Sequence, residues 1–397
     1  MSLGAAVALT TRRVVEPVEG MHRAIARRWF GALGAAGEPT RRVHDTVSGL
    51  VYGAIRLAGA AVGVAVDAGL PVERRGADSV QAIVNGLWGD ALGRHEERLG
   101  ITMGVRDPAG RSVGPDCDLA AAFPTATAHL VVLVHGLVKT ERCWRGTDGH
   151  GGIYRALEDH PALTPVPVRY NSGLRVSVNG EELASLLEEV VSAWPVPVHS
   201  IALVGHSMGG LVVRSAGALA RAAGHRWIDE VHTVVAIATP HRGAPLEKAA
   251  NLAAWCLRVA PETRPLGDFL NGRSVGIKDL RFGAIAEEDW SQHDSDALLA
   301  NTVADHPLLA GIDHHFITSV VTTRPSHPIG VAMGDLLVRA VSGSGRRGAD
   351  TADVVLLGGL NHFEVLHEPA VIDRVMGWLE PPPLQAVPAH ITDGGGR

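Results

Sequence analysis

The chain has 397 residues, 46% of them hydrophobic, which is enough for one large domain with additions or for two domains. A formal net charge of −6 argues against a nucleic-acid-binding protein, a class that is usually basic. Three widely spaced cysteines (Cys117, Cys143 and Cys256) fit neither a disulfide framework nor a metal-ligand spacing, and point to a reducing, cytoplasmic compartment.

Residues 1–97 read as a helical N-terminal extension. The first ten residues place no basic side chain ahead of their short apolar stretch and lack the form of a secretory signal. Residues 21–30 are basic and amphipathic through Arg23, Arg27 and Arg28. This is the pattern of a solvated helix face or, alternatively, of contact with an acidic lipid surface. Residues 50–72 are apolar, but Gly and Ala make that hydrophobicity shallow, and Arg56 and Asp67 interrupt it. A buried or interfacial helix is expected rather than a membrane span.

Beyond this extension the pattern changes. Residues 101–106 and 111–113 flank Asp107-Pro108-Ala109-Gly110, a turn signal, and read as a hairpin that opens a sheet. Continuous apolar strands follow at 130–134, 166–170, 201–204 and 231–238. Between them lie an amphipathic helix at 179–194, stopped by Pro195, and a second helix after Ser207. This alternation predicts a mostly parallel sheet with helices on both faces. Residues 244–311 contain helical pieces and no clear strand. The alternation resumes with strands at 316–321 and 354–357 and a closing helix at 369–379, and the Gly-rich stretch 382–397 is expected to be a disordered tail.

The chemistry gathers at Gly205-His206-Ser207-Met208-Gly209, a G-x-S-x-G motif between an apolar strand and a helix. The pattern describes a sharp turn that lifts the serine hydroxyl above the sheet in a strained backbone, at a helix N-terminus where developing negative charge is favoured. A serine hydroxyl needs a base, and the base an orienting carboxylate, in the chain order serine, acid, histidine. His362 suits the base, because it follows the last strand through Gly358-Gly359-Leu360-Asn361. His367 is less well placed, and His314 and His315 precede a strand. Asp335, in Gly334-Asp335-Leu336-Leu337-Val338, suits the acid, with Asp350 and Asp353 as rivals at the start of the last strand. The backbone N–H groups of Met208 and Leu137 are the candidate oxyanion donors, Leu137 through the loop His135-Gly136-Leu137 after strand 130–134. His135 is expected to shape that loop. The stretch 138–152, with Cys143 and Trp144, is expected to wall the cleft. No feature calls for a metal or organic cofactor.

These motifs, with Thr239-Pro240-His241-Arg242-Gly243 and Asn361-His362-Phe363, resemble the α/β-hydrolase superfamily, in particular its bacterial lipase/esterase branch with PGAP1-like proteins. The resemblance covers about residues 100–243 and 312–380. It implies core segments at 98–243 and 312–381 with 244–311 as an inserted lid or cap, and it supports Leu137 as an oxyanion donor. It further implies a serine ester hydrolase acting through an acyl-enzyme on a small-molecule or lipid ester. Acyl transfer, thioester hydrolysis or polyester depolymerisation are alternatives on the same residues, and a non-catalytic binding protein on the same scaffold is an alternative of another class. The missing signal form and the N-terminal extension distinguish the chain from secreted lipases. They suggest a cytoplasmic enzyme whose N-terminal helices contact a lipid surface, a storage granule or a partner subunit, or simply cover the sheet.

Overall fold

The computed structural model describes residues 3–32, 38–67, 74–95, 100–114, 118–146, 151–298, 300–343 and 353–381. Three helices come first: α1 (Leu3–Ala32), α2 (Glu38–Asp67) and α3 (Arg74–His95), the last kinked at Trp88. Strand β1 (Gly104–Val105) and α4 (Leu119–Ala122) lead into β2 (His129–Val134), α5 (Ile153–Glu158), β3 (Leu163–Arg169), α6 (Val176–Ser192), β4 (Ser200–His206), α7 (Met208–Ala223) and β5 (Val231–Ile237). Helices α8 (Pro245–Leu257), α9 (Arg264–Asn271) and α10 (Val275–Asp279) follow. The chain continues through β6 (Asp313–Val320), α11 (Pro328–Met333), α12 (Ala340–Gly343) and β7 (Asp353–Gly358) to α13 (Pro369–Trp378).

Among the described residues seven strands form one sheet in the order β1-β3-β2-β4-β5-β6-β7, parallel except for β1 against β3. The side-chain alternation of a strand explains its two-sided burial. In β2, Leu130, Val132 and Val134 point into a core shared with α6 and α7, while Val131 and Leu133 point into a second core shared with α5 and α13. Because both faces are covered, the strand reads as one continuous apolar run.

Strand β3 begins earlier than its apolar pattern suggests and contains Pro165 and Pro167. The Arg106 N–H donates to the Pro167 carbonyl (2.9 Å), so the backbone polar groups of residues 165 and 167 face β1. Neither proline therefore removes a donor from the ladder to β2. The expected opening hairpin is present in reduced form, as β1 and an isolated bridge between Arg106 and Ser112. Helix α6 also starts earlier than expected, at Val176, and β6 starts at Asp313, so His314 and His315 lie within the strand rather than before it.

Helices α1 and α2 pack together through small residues. A β-carbon on Gly63 would come within 2.4 Å of the Gly4 carbonyl oxygen, and one on Gly59 within 2.5 Å of Thr11. Two glycines of the apolar stretch thus serve this contact, while its Val51, Ile55 and Leu57 are exposed, and residues 68–72 lie outside the described residues. Among the described residues no helix is long and apolar enough to cross a membrane. Arg23 and Arg28, on the basic face of α1, pair with Glu19 and Glu262. The expected tail at 382–397 is likewise outside the described residues.

The turn from β4 into α7 depends on close backbone approach. A β-carbon on Gly209 would sit 2.2 Å from the Val134 carbonyl oxygen and 2.5 Å from that of His135. Backbone cannot yield as a flexible side chain can, so Gly209→Ala is expected to destabilise the protein by about 3 kcal/mol. Gly49→Ala, in α2 with nothing within 4 Å, should stabilise it by about 0.5–1 kcal/mol. Urea-unfolding midpoints moving in opposite directions would bear this out, and similar midpoints would refute it.

Candidate active site

Ser207 caps the N-terminus of α7 with φ 54° and ψ −124°, a conformation that side-chain-bearing residues rarely adopt. Its own N–H is held by the Ile237 carbonyl (2.8 Å), and its carbonyl accepts from Gly210 (3.1 Å). The strain is therefore locked in by the sheet on one side and the helix on the other.

His362 follows β7 and reaches back over Ser207. Its Nε2 lies 2.9 Å from Ser207 Oγ, and its Nδ1 lies 2.8 Å from Asp335 Oδ2. The consistent assignment has Nδ1–H donating to the carboxylate and Nε2 accepting from the serine hydroxyl. Asp335 is fully buried and His362 nearly so. The second carboxylate oxygen accepts from the N–H groups of Leu337 (3.0 Å) and Val338 (2.8 Å), and the His362 N–H donates to the Asp335 carbonyl (3.1 Å). The loop that carries Asp335 is a tight turn with Gly334 at φ 64° and Leu336 at φ 86°. A β-carbon on Gly334 would fall 1.9 Å from the Val338 carbonyl oxygen, so this turn needs glycine.

Met208 opens α7 directly after Ser207, and Leu137 lies in the loop that follows β2. Gly136 allows the approach of this loop to Ser207, since a β-carbon there would lie 3.0 Å from that of Ser207. Among the described residues neither the Leu137 N–H nor the Met208 N–H has an acceptor. The loop is held from behind. Val138, at φ 54°, donates its N–H to Ser172 Oγ (3.1 Å), and Gly86 of α3 presses against it so closely that a β-carbon would meet Val138 Cγ1 at 2.5 Å.

His135 shapes this loop. Its Nδ1 lies 2.8 Å from the Gly136 carbonyl, its Nε2 accepts from the Tyr170 N–H (3.3 Å), and its ring stacks on that of Tyr170. Burial pulls its pKa down to about 4 and pulls those of His206 and His241 well below the usual histidine range. His206, whose partnership the sequence motif does not reveal, donates from Nε2 to the His362 carbonyl (3.1 Å). For each of the three, the unfolded chain binds the proton more readily than the folded one. Their contribution to stability is complete above about pH 6.5 and is lost as pH falls below it, for His135 toward about 4. The urea midpoint is accordingly expected to be flat above pH 7 and to drop steadily below pH 6.5; a midpoint unchanged down to pH 4.5 would contradict this.

Of the rival residues, Asp353 opens β7 and lies 3.7 Å from His315, away from Ser207, and Asp350 is outside the described residues. His367 sits at the end of the turn that follows His362. Trp144 is buried with its ring edge-on to His206, while Cys143 lines a cavity beside the loop, where burial raises its thiol pKa to about 12. The 245–306 region is ordered by buried ion pairs that single motifs do not disclose. Glu247 receives both Arg273 and Arg281, and Asp279 receives Arg175.

The nearly parallel sheet, with a strained serine at the β4–α7 turn and an acid and a histidine after later strands, is an α/β-hydrolase architecture. The resemblance to its lipase/esterase branch is borne out by comparison with known proteins. A family model described as a PGAP1-like alpha/beta domain matches residues 181–318. A triacylglycerol lipase of Burkholderia plantarii is 34% identical over 128 residues, 32% of this chain and 33% of that protein. A triacylglycerol lipase of Pseudarthrobacter phenanthrenivorans is 34% identical over 121 residues, 30% of this chain and 35% of that protein. The chain thus spans about a third of the length of these curated relatives. The mature form of a Bacillus licheniformis lipase superposes with a TM-score of 0.41 at 18% identity, covering 63% of this chain and 91% of that one.

Proposed function

We propose that the chain is a serine carboxylic-ester hydrolase working through an acyl-enzyme. The observation that carries this reading is the buried relay Ser207 Oγ, His362 Nε2, His362 Nδ1, Asp335 Oδ2, with links of 2.9 and 2.8 Å. In this mechanism His362 takes the hydroxyl proton as Ser207 attacks the ester carbonyl. The oxyanion that forms is met by the N–H groups of Leu137 and Met208 and by the N-terminus of α7. His362 then gives the proton to the departing alkoxide. Water, deprotonated by the same imidazole, attacks the acyl-serine, and the acid leaves as Ser207 recovers its proton. Asp335 keeps the imidazole in the productive tautomer and balances its charge while it holds the proton.

In the same reading, residues 244–311 form a lid over the sheet, and the N-terminal helices turn Trp29 and Leu57, each 72% exposed, toward a lipid surface. The enzyme acts on small-molecule or lipid esters in the cytoplasm. A fluorophosphonate probe should label Ser207 alone, and p-nitrophenyl esters of two to sixteen carbons should be hydrolysed by the unlabelled protein only. The chain-length optimum then separates an esterase from a lipase. A pure, folded protein that neither reacts with the probe nor turns over any ester would refute the proposal.

A further inference from the structure

A cavity of about 300 Å³ opens where three segments meet: the stretch 138–146 after β2, the turn 363–367 after β7, and helix α3. Its lining includes the chain neighbours of two candidate site residues. Val138 directly follows Leu137, and Phe363 directly follows His362, with its ring edge-on to the imidazole at 5.5 Å. Apolar side chains (Ile83, Val138, Phe363 and Leu366) make up much of its wall, and its volume falls at the lower end of small-ligand sites.

The charge of this wall runs against that of the chain. In a protein of net charge −6, the described residues lining the cavity include the cations Lys139 and Arg142 but no carboxylate. Arg142 pairs with Asp78 at 3.1 Å, and the same carboxylate oxygen lies 3.2 Å from Arg169, whose main partner is the buried Glu141 at 2.7 Å. Lys139 has no carboxylate within ion-pair distance among the described residues, and its ammonium rests 4.6 Å above the centre of the Phe363 ring. That contact orients the cation without neutralising it. His367 adds a buried Nδ1 without a hydrogen-bond partner among the described residues.

We infer that this cavity is a substrate subsite for an anionic group, a carboxylate or phosphate carried by the ester a few bonds from the scissile carbonyl, with Lys139 as its specificity-determining residue. The inference rests on the proposed ester hydrolase and adds the class of ester. The apolar wall takes the hydrocarbon next to the anion, and the Lys139 ammonium, already desolvated on one side by Phe363, takes the charge. Because Ser79, Ala82 and Ile83 of α3 complete the wall, the N-terminal extension is part of the substrate site.

The test measures binding to the Ser207→Ala protein by calorimetry at low salt, with two matched pairs. Phenyl butyrate against 4-(butyryloxy)benzoate places the charge on the alcohol side; p-nitrophenyl butyrate against p-nitrophenyl hemiglutarate places it on the acyl side. In one pair or both, the anionic member is expected to bind roughly tenfold tighter or more, as a charge-assisted hydrogen bond allows. The preference should vanish in Lys139→Met and persist in Lys139→Arg, whereas a purely structural lysine would alter both members of a pair alike. Equal binding within both pairs, or a preference that survives in Lys139→Met, would overturn the subsite. Anion-selective binding in a Ser207-intact protein that turns over no ester would instead remove the hydrolase reading and leave the subsite standing.

Discussion

Ser207→Ala is expected to lower kcat for a p-nitrophenyl ester by about 10⁵–10⁶-fold, the scale seen when a serine nucleophile that acts as a unit with its base is removed. The loss should be non-additive. His362→Ala should cost about as much, and the double variant little more, because His362 Nε2 has only the Ser207 proton to move. Residual catalysis of roughly 10³-fold over water would come from the Leu137 and Met208 N–H groups and from binding. Stability should hardly change on loss of one hydroxyl. Ser207→Gly, however, is expected to be more stable than Ser207→Ala by on the order of 1–2 kcal/mol, because glycine adopts φ 54°, ψ −124° without the penalty that a β-carbon incurs. That comparison separates strain kept for chemistry from strain that is incidental. Steady-state rates with urea midpoints for the parent and the four variants decide it, and ester turnover by Ser207→Ala within tenfold of the parent would be fatal to Ser207 as the nucleophile.

What could be read from the residues alone follows from the range of each interaction. The β4–α7 turn was legible because its determinants are neighbours: a strand, two glycines and a serine within ten positions. The parallel sheet was legible because burial on both faces leaves unbroken apolar runs in β2 and β4. Strand β3 was blurred at its start because Pro165 and Pro167 argue against a central strand until their nitrogens are known to face β1. The placement of α3 was not legible at all. Gly86 and Gly89 let the backbone touch Val138 and Asn171, residues that lie far away in the chain. Val138 and Leu336 hold positive φ despite side chains that disfavour it, and only tertiary contacts explain why. His206, in the middle of the serine motif, carried no signal for its bond to the His362 carbonyl.

Asp335→Asn is expected to reduce kcat by about 10⁴-fold while changing KM little, and the reason lies in the fixed surroundings of the side chain. One carboxylate oxygen of Asp335 accepts two backbone N–H groups, from Leu337 and Val338, and the other faces His362 Nδ1. An asparagine there must point its carbonyl oxygen at the two backbone donors, since turning its amide toward them would bring donors face to face and leave two buried N–H groups unsatisfied. Its NH₂ group then faces His362 Nδ1 and holds that nitrogen as an acceptor. The proton moves to Nε2, which now donates to Ser207 Oγ and cannot accept from it. The base is thus lost with the geometry intact, so fluorophosphonate labelling should slow in parallel with kcat while the fold and the Ser207 strain persist. Asp335→Ala breaks the turn as well as the tautomer, because the Leu337 and Val338 N–H groups are left without their acceptor, and should cost about 1–3 kcal/mol of stability that Asp335→Asn does not. Single-turnover acylation with a p-nitrophenyl ester, alongside a urea titration of both variants, checks the two halves independently. An Asp335→Asn protein acylated at near the parent rate would show that the carboxylate serves the fold of the 334–338 turn rather than the imidazole.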